Sequence, residues 1–267
     1  MLEFALSGLR SGLRGKSFHA VFILGVLMIG IAYLSGFFSP RQPQTVAIDV
    51  GFSGVRFALV LLGLFWVQEL VAREIDRRVI LFSLAYPVSR AAFLAGRFFA
   101  VLILLSLAGV VLGFLLLLAV LATGGSYSQE FAVALGVPFW STVAGLALDA
   151  AVVAAFAVCI AALSTVSVLP LALGAAFAVA GKALGATMAY LSQGADGDEQ
   201  LVASYNPFIE LVKWLLPDLS RLDWREWPMY QLAPGFGDVF WAVTMAAAYI
   251  ILLLVCASLL FSRREFS

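Results

Sequence analysis

The chain has few charged residues for its length. Among 267 residues, Lys and Arg number 16 and Asp and Glu number 16, so charged residues make up 12% and the formal net charge is zero. Hydrophobic residues make up 63%, and the mean hydropathy is +1.03. No soluble domain of this size could keep such a composition in solution, so we predict a protein that crosses a membrane several times. The lack of a basic tract argues against a nucleic-acid partner.

Residues that bind metals or act as nucleophiles are also scarce. His19 is the sole histidine, which excludes histidine metal clusters and makes a Ser-His-Asp site improbable. Cys159 and Cys256 both fall in apolar runs, where we expect small buried side chains and no disulfide. Asp149 is the only aspartate deep in an apolar run, so the aspartate pair of an intramembrane protease is missing. We therefore expect no enzyme, no bound metal and no cofactor in this chain.

One segment comes close to a phosphate-binding loop. The stretch 10–17 reads Arg-Ser-Gly-Leu-Arg-Gly-Lys-Ser, which departs from Gly-x-x-x-x-Gly-Lys-Ser at Arg10. It also precedes an apolar run, whereas a phosphate-binding loop follows a strand. We interpret the match as coincidence.

Six apolar runs are long enough to cross a membrane, because about 20 helical residues at about 1.5 Å each span the hydrocarbon core. The predicted fold class is thus an all-α membrane protein with six transmembrane helices. Spans four and five are joined by so short a turn that they must be antiparallel neighbours. The predicted spans are 17–38, 50–71, 93–122, 138–163, 169–191 and 238–261.

The distribution of Lys and Arg predicts the orientation. Ten of these cations lie before span one, in or next to the loop before span three, or after span six. Only four lie in the segments on the other side of the membrane. Positive charge marks the cytoplasmic side. We expect both termini in the cytoplasm and the chain in the cell inner membrane.

Two segments outside the spans are predicted to lie at the membrane surface. Residues 1–16 carry leucines on one helical stripe and polar residues on the other, which is typical of an interfacial helix. The outer loop 192–237 contains an apolar helical face from Asn206 to Leu219, interrupted by Pro217. We expect an amphipathic hairpin there that rests on, or dips into, the outer leaflet.

A charged loop at 72–92 separates spans two and three. The spacing of its first charges predicts a short, exposed surface helix, and Pro87 then bends the chain before the next span. At the span boundary, Glu69 is placed to pair with Arg73 one turn later. The candidate functional residues around this loop are Glu69, Arg73, Glu74, Asp76, Arg77, Arg78, Pro87, Ser89 and Arg90.

This loop resembles the first cytoplasmic loop of the permease subunits of type-two ATP-binding-cassette (ABC) exporters. The resemblance includes the Pro-Val-Ser-Arg ending and the Gly-Arg that follows, and it departs from the family at Arg78, where Gly is common. It is carried by Glu74, Val79, Ile80, Leu84, Pro87, Ser89, Arg90, Gly96 and Arg97.

The resemblance implies a function and a set of partners. In such permeases the loop forms a coupling helix that sits on a cytoplasmic ABC ATPase subunit, which binds the ATP and magnesium. It also implies a second permease copy or a homologous permease, spans two and five along a central path, and an outer segment that enters the membrane. Lipid and an extracytoplasmic protein are further partners to be considered. The alternative is a membrane scaffold or assembly factor without transport.

Three charged residues fall deep within the predicted spans, where each costs about 2.5–3.5 kcal/mol unless it is paired or hydrated. Arg56 lies about 9 Å from the outer end of its span, and we expect it to snorkel outward. Asp149 and Lys182 stand at similar depths on adjacent spans, so we expect them to form an ion pair. Arg56 remains an alternative partner for Asp149.

Overall fold

The computed structural model of the protein describes residues 2–76, 90–124, 132–164, 166–192 and 216–263. The described part contains helices and no strand. Within these described ranges, eight α-helices follow one another: α1 (Leu2–Arg14), α2 (Lys16–Phe37), α3 (Pro43–Val67, continued by a π-helical segment Gln68–Ala72 and a last turn Arg73–Asp76), α4 (Arg90–Thr123), α5 (Val137–Leu163), α6 (Leu169–Ser192), α7 (Glu226–Tyr230) and α8 (Phe236–Arg263). A 3-10 turn, Leu219–Leu222, precedes α7.

Six of these helices are long and apolar enough to cross a membrane, which confirms the predicted all-α fold with six spans. The apolar segments are Phe18–Phe37, Pro43–Ile75, Ala91–Thr123, Val137–Leu163, Leu169–Met188 and Phe236–Ser262. The chain is a multi-pass membrane protein.

The second span is longer than the sequence predicted. It begins at Pro43, whose ring suits the first turn of a helix, and not at residue 50. The polar residues of this first turn hid the start of the helix from the sequence prediction. Thr45, Ala47 and Ile48 nevertheless form a buried face there. At 33 residues, the span measures about 50 Å, so it must tilt or extend beyond a hydrocarbon core of about 30 Å.

Helices α3 and α5 form the centre of the bundle. The share of buried residues in the apolar part of the span is 72% for α5 and 67% for α3, but only 11% for α8. Alanines along α5 let its neighbours approach closely: a Cβ on Gly63 of α3 would lie 3.6 Å from both the Ala150 carbonyl oxygen and the Ala154 side chain. Helix α6 packs against α5, as predicted for neighbours, with Phe156 and Phe177 stacked at 4.2 Å between ring centroids.

Helix α1 docks on the bundle through two glycines and through Leu9 of its leucine stripe. A Cβ on Gly8 would lie 2.8 Å from the Ala100 side chain of α4, and a Cβ on Gly12 would lie 2.6 Å from Leu104. Leu6 and Leu13 are exposed on the outer surface of α1, where they would meet lipid. Small residues at a spacing of four thus bring two backbones together, as in membrane helix pairs.

Two expectations fall largely outside the described residues. The charged-loop residues Arg77, Arg78, Pro87 and Ser89 lie there, as does most of the helix expected from Asn206 to Leu219. That helix does not reach Leu219, because Leu219 is fully buried and begins the 3-10 turn, which the Asp218 side chain caps at the Ser220 backbone N–H.

We predict that Gly12→Leu loosens α1 from the bundle. The new side chain would meet Leu104 and the Trp66 indole, and overpacking of this kind costs about 1–3 kcal/mol. Thermal unfolding of the detergent-solubilised chain, followed by tryptophan fluorescence, measures the loss. Ser11→Leu, which adds the same side chain on the exposed neighbour, is the control, and equal unfolding temperatures for the two variants would contradict this docking.

Candidate functional site

A buried ion pair joins the two central helices. Arg56 Nε of α3 donates to Asp149 Oδ2 of α5 at 2.5 Å, and Arg56 Nη2 donates to the Ala178 carbonyl oxygen of α6 at 3.4 Å. Asp149 is only 1% exposed. One guanidinium therefore contacts three spans, because its fork of N–H groups can serve several acceptors at once.

Two expectations about these charges are wrong. Arg56 does not snorkel outward, because α3 begins at Pro43 and so places Arg56 about 20 Å along the helix, against α5. The expected pair between Asp149 and Lys182 is replaced by the alternative partner Arg56. Adjacent spans and similar depths were correct but did not settle which side chains face each other.

Lys182 instead pairs with an acid from the segment before α7. Lys182 Nζ lies 2.5 Å from Asp223 Oδ2. Arg225 binds the same carboxylate through Nε and Nη2, at 2.7–3.0 Å, and reaches α3 through Nη1, which lies 2.7 Å from Asp49 Oδ1 and 2.9 Å from Ser53 Oγ. We call the six charged residues Asp49, Arg56, Asp149, Lys182, Asp223 and Arg225 the polar cluster.

Glycines and a threonine hold the segment that carries Asp223 against α5 and α6. A Cβ on Gly145 of α5 would collide with the Leu222 carbonyl oxygen, and a Cβ on Gly185 of α6 would collide with the Ser220 hydroxyl. Thr142 Oγ1 donates to the Trp224 carbonyl oxygen at 3.1 Å. The backbone of this segment thus enters between the two helices, and Asp223 reaches Lys182 as a result.

The surroundings of Asp223 and Arg225 favour the charged form of both side chains. Burial raises the pKa of the Asp223 carboxyl, but hydrogen bonds and positive charge from Arg225, with the charge of Lys182, outweigh burial and hold the pKa below its ordinary value. Burial opposes the charge of Arg225, but Asp223 and Asp49 raise the pKa of this guanidinium above its ordinary value. Both groups are therefore ionised at neutral pH.

The polar cluster borders a cavity of about 450 Å³. We call it the polar cavity; its lining residues are Ser53, Arg56, Lys182, Ser220, Asp223, Arg225 and Glu226. Its volume is in the range of small-molecule sites.

The sequence pointed to only half of this site. Arg56, Asp149 and Lys182 stood out as charges within spans, whereas Asp49 lay just before the predicted second span and Asp223 lay in the outer loop, where a surface hairpin was predicted. Two features of the sequence could have indicated Asp223 and Arg225. They stand two residues apart in a tryptophan-rich segment, and the spans carry two cations but only one acid deep within them, so a further acid is needed as a partner.

A second charged site lies at the other end of α3, where the charged loop begins. Glu74 Oε1 accepts from Arg97 Nη2 at 2.5 Å, and Arg97 Nη1 donates to Ser7 Oγ of α1 at 3.1 Å. The Trp66 indole also donates to the Gly12 carbonyl oxygen at 3.1 Å. We call Ser7, Glu74 and Arg97 the loop-base cluster, since it joins α1 and the two helices that flank the loop.

The expectations at this end are partly corrected. Glu74 is half-buried and paired, so it is not on an exposed helix without a core beneath it. Glu69 does not pair with Arg73, which is exposed. Glu69 Oε2 is buried, has no hydrogen bond among the described residues and lies against Gly15 at the start of α2. A helix N-terminus is a favourable place for a carboxylate. Asp76 ends α3 and Arg90 begins α4.

We predict that Asp149 couples energetically to Arg56 and not to Lys182. Asp149→Leu or Arg56→Leu alone strands a buried charge and should cost about 3–5 kcal/mol, whereas the double variant should lose far less than the sum. Thermal unfolding in detergent gives both cycles. The matched cycle of Asp149→Leu with Lys182→Met should show a clearly smaller coupling, because Lys182 bonds to Asp223 and not to Asp149; a larger coupling to Lys182 than to Arg56 would contradict the observed pairing.

We predict a defined acid dependence for Asp223. Because its folded-state pKa lies below the ordinary value of 3.8, its stabilisation is complete above that value and is lost as the pH falls through the folded-state pKa. The difference in unfolding temperature between the natural chain and Asp223→Asn should stay constant from about pH 8 to about pH 5, then shrink below about pH 4. A difference that already shrinks between about pH 7 and about pH 5 would show that the carboxylate is not stabilised in this way.

Comparison with known proteins adds no relative to this picture. Neither a scan against protein-family models nor a search of curated proteins finds a match to the chain. The function must therefore be argued from the two charged sites at opposite ends of α3.

Proposed function

We propose that the chain is the permease subunit of an ABC exporter, which moves its substrate across the cell inner membrane while a separate cytoplasmic subunit hydrolyses ATP. The resemblance of the charged loop 72–92 to a coupling helix suggests this class of protein. The chain itself would bind neither ATP nor magnesium and would not be an enzyme. In this orientation both termini and the loop face the cytoplasm, and the polar cavity faces outward.

The observation that carries the proposal is the path of α3 between the two charged sites. Arg56 lines the polar cavity and Glu74 belongs to the loop-base cluster, about 27 Å apart at 1.5 Å per residue. A displacement of the loop would act on α3 directly and on α4 through the ion pair between Glu74 and Arg97. The same helix would then change the surroundings of Arg56.

The π-helical segment lies on this path. Gln68–Ala72 widens the helix between the cavity and the loop, and such segments are frequent at functional sites in otherwise regular helices. It offers a place where α3 can rotate or bend without breaking its hydrogen bonds. This supports a moving part in α3 more than a static brace.

A second permease copy, or a homologous permease, would complete the transporter. The resemblance assigns the central path to spans two and five, which correspond to α3 and α6. These helices supply three of the lining residues of the polar cavity, Ser53, Arg56 and Lys182. Substrate would cross by alternating access or by lateral extrusion into the outer leaflet.

A non-transporting scaffold or assembly factor is the second candidate. The ion pairing within the polar cluster favours it, since a paired cluster can brace a rigid bundle. Affinity purification of the tagged chain from its native membrane separates the two. A co-purifying soluble subunit that hydrolyses ATP is expected for the permease; a preparation without nucleotide hydrolysis would favour the scaffold.

We predict that Arg77→Ala with Arg78→Ala weakens binding of the ATPase subunit by about tenfold and reduces its stimulation accordingly, because both cations belong to the proposed contact. Titration of the ATPase onto the permease in nanodiscs measures the affinity, and phosphate release measures the stimulation. Arg41→Ala with Arg221→Ala removes two exposed cations at the opposite end and should change neither quantity. Unchanged binding and stimulation for the loop variant would sink the coupling assignment.

A further inference from the structure

The polar cavity contains hydrogen-bond donors that no described residue of the chain uses. A guanidinium has five N–H groups, and Arg56 directs one to Asp149 and one to the Ala178 carbonyl within the described part of the chain. An ammonium has three, and Lys182 directs one to Asp223. Both residues line the cavity, so several charged donors remain for whatever occupies it.

The acceptors of the cavity are, by contrast, largely engaged. The Asp223 carboxylate already accepts from Lys182 Nζ and from Arg225 Nε and Nη2. Every nitrogen of Arg225 is also engaged, because Nη1 serves Asp49 and Ser53. The remaining carboxylate of the lining, Glu226, is exposed and forms no ion pair in the described residues. The interior of the cavity is thus rich in cationic donors, whereas the acid Glu226 lies in an exposed part of the lining.

Charged residues at this depth are costly and are kept where they face a partner or a water-filled cavity, which makes them functional by default. The acids next to Arg56 and Lys182 neutralise the charges of these two side chains. They do not use all of the N–H groups of the two side chains within the described residues. An oxyanion would satisfy them, since carboxylate and phosphate oxygens form charge-assisted hydrogen bonds with both kinds of cation.

We propose that the polar cavity is a binding site for an oxyanion group, a carboxylate or a phosphate, held by Arg56 and Lys182. The volume of about 450 Å³ admits a small solute or the headgroup of an anionic lipid. Glu226 opposes binding by charge repulsion, so it lowers the affinity of the site for an oxyanion. The site requires no ATPase subunit, and the inference does not rest on the proposed function.

Lys182 is the residue to change. Its removal leaves Asp223 paired with Arg225 through two nitrogens, so Lys182→Met removes a ligand-binding cation without stranding a buried charge. Lys182→Arg keeps the charge. Arg221→Met is the matched control. Arg221 is an exposed cation on the segment that carries Asp223, and it is not among the residues that line the polar cavity.

The experiment is calorimetric titration of inorganic phosphate, and separately of succinate, into the full chain in phosphatidylcholine nanodiscs at constant ionic strength. Saturable binding of at least one probe is expected. Lys182→Met should weaken it about tenfold or more, as for a lost charge-assisted hydrogen bond, while Lys182→Arg and Arg221→Met retain it. Glu226→Gln should strengthen it about two- to fivefold by removing the repulsion.

Nanodiscs that contain phosphatidylglycerol distinguish the two sources of the oxyanion. Competition between this lipid and the soluble probe would identify a headgroup site, whereas no competition would identify a site for a free solute, and both results support the proposal. No saturable binding of either probe, or equal binding by the natural chain and Lys182→Met, would overturn it. Weaker binding by Glu226→Gln would also overturn it, because the acid would then be part of a cation site.

Discussion

The ion pair between Arg56 and Asp149 constrains the whole bundle. Asp149 is fully buried and needs a charge partner, which Arg56 provides, so the ion pair favours the rotation of α3 and α5 that brings the two side chains together. That rotation also directs Phe52, one turn before Arg56, to Phe139 at 5.1 Å between ring centroids, and it directs Gly63 to the alanines of α5. A single polar contact thereby helps to set the register between the two most buried spans.

The neighbouring face of α3 belongs to the second half of the polar cluster. Asp49 and Ser53 stand one turn apart, and both accept from Arg225 Nη1. Further along, the same helix passes through its π-helical segment and ends in the loop-base cluster at Glu74. Because one continuous helix carries charges at both ends, neither site can shift without a response in α3. This geometry is the basis of the coupling through α3 that we propose.

The sequence predicted the six spans well because span length and hydropathy are local properties of the chain. It did not predict the partners of the charges, since these depend on where a helix begins and how it is rotated: the start at Pro43 moved Arg56 away from the surface, and the approach of the segment before α7 supplied Asp223 to Lys182. The docking of α1 was missed for a related reason. The leucine stripe predicted only a helix at the membrane surface, whereas Gly8 and Gly12 form the contact with α4 by permitting close approach.

The sharing of Asp223 gives the polar cluster a property that an isolated pair lacks. In a simple buried pair, withdrawal of one partner leaves the other charge uncompensated and costs several kcal/mol. Here Asp223 is bound by both Lys182 and Arg225, and Arg225 is in turn bound by Asp49. An oxyanion can therefore compete for Lys182 while Asp223 keeps the bidentate contact with Arg225, so no charge is stranded. Partner exchange is cheaper in such a network than in the pair of Arg56 and Asp149, which explains how one cluster can both fix the bundle and remain responsive at the cavity.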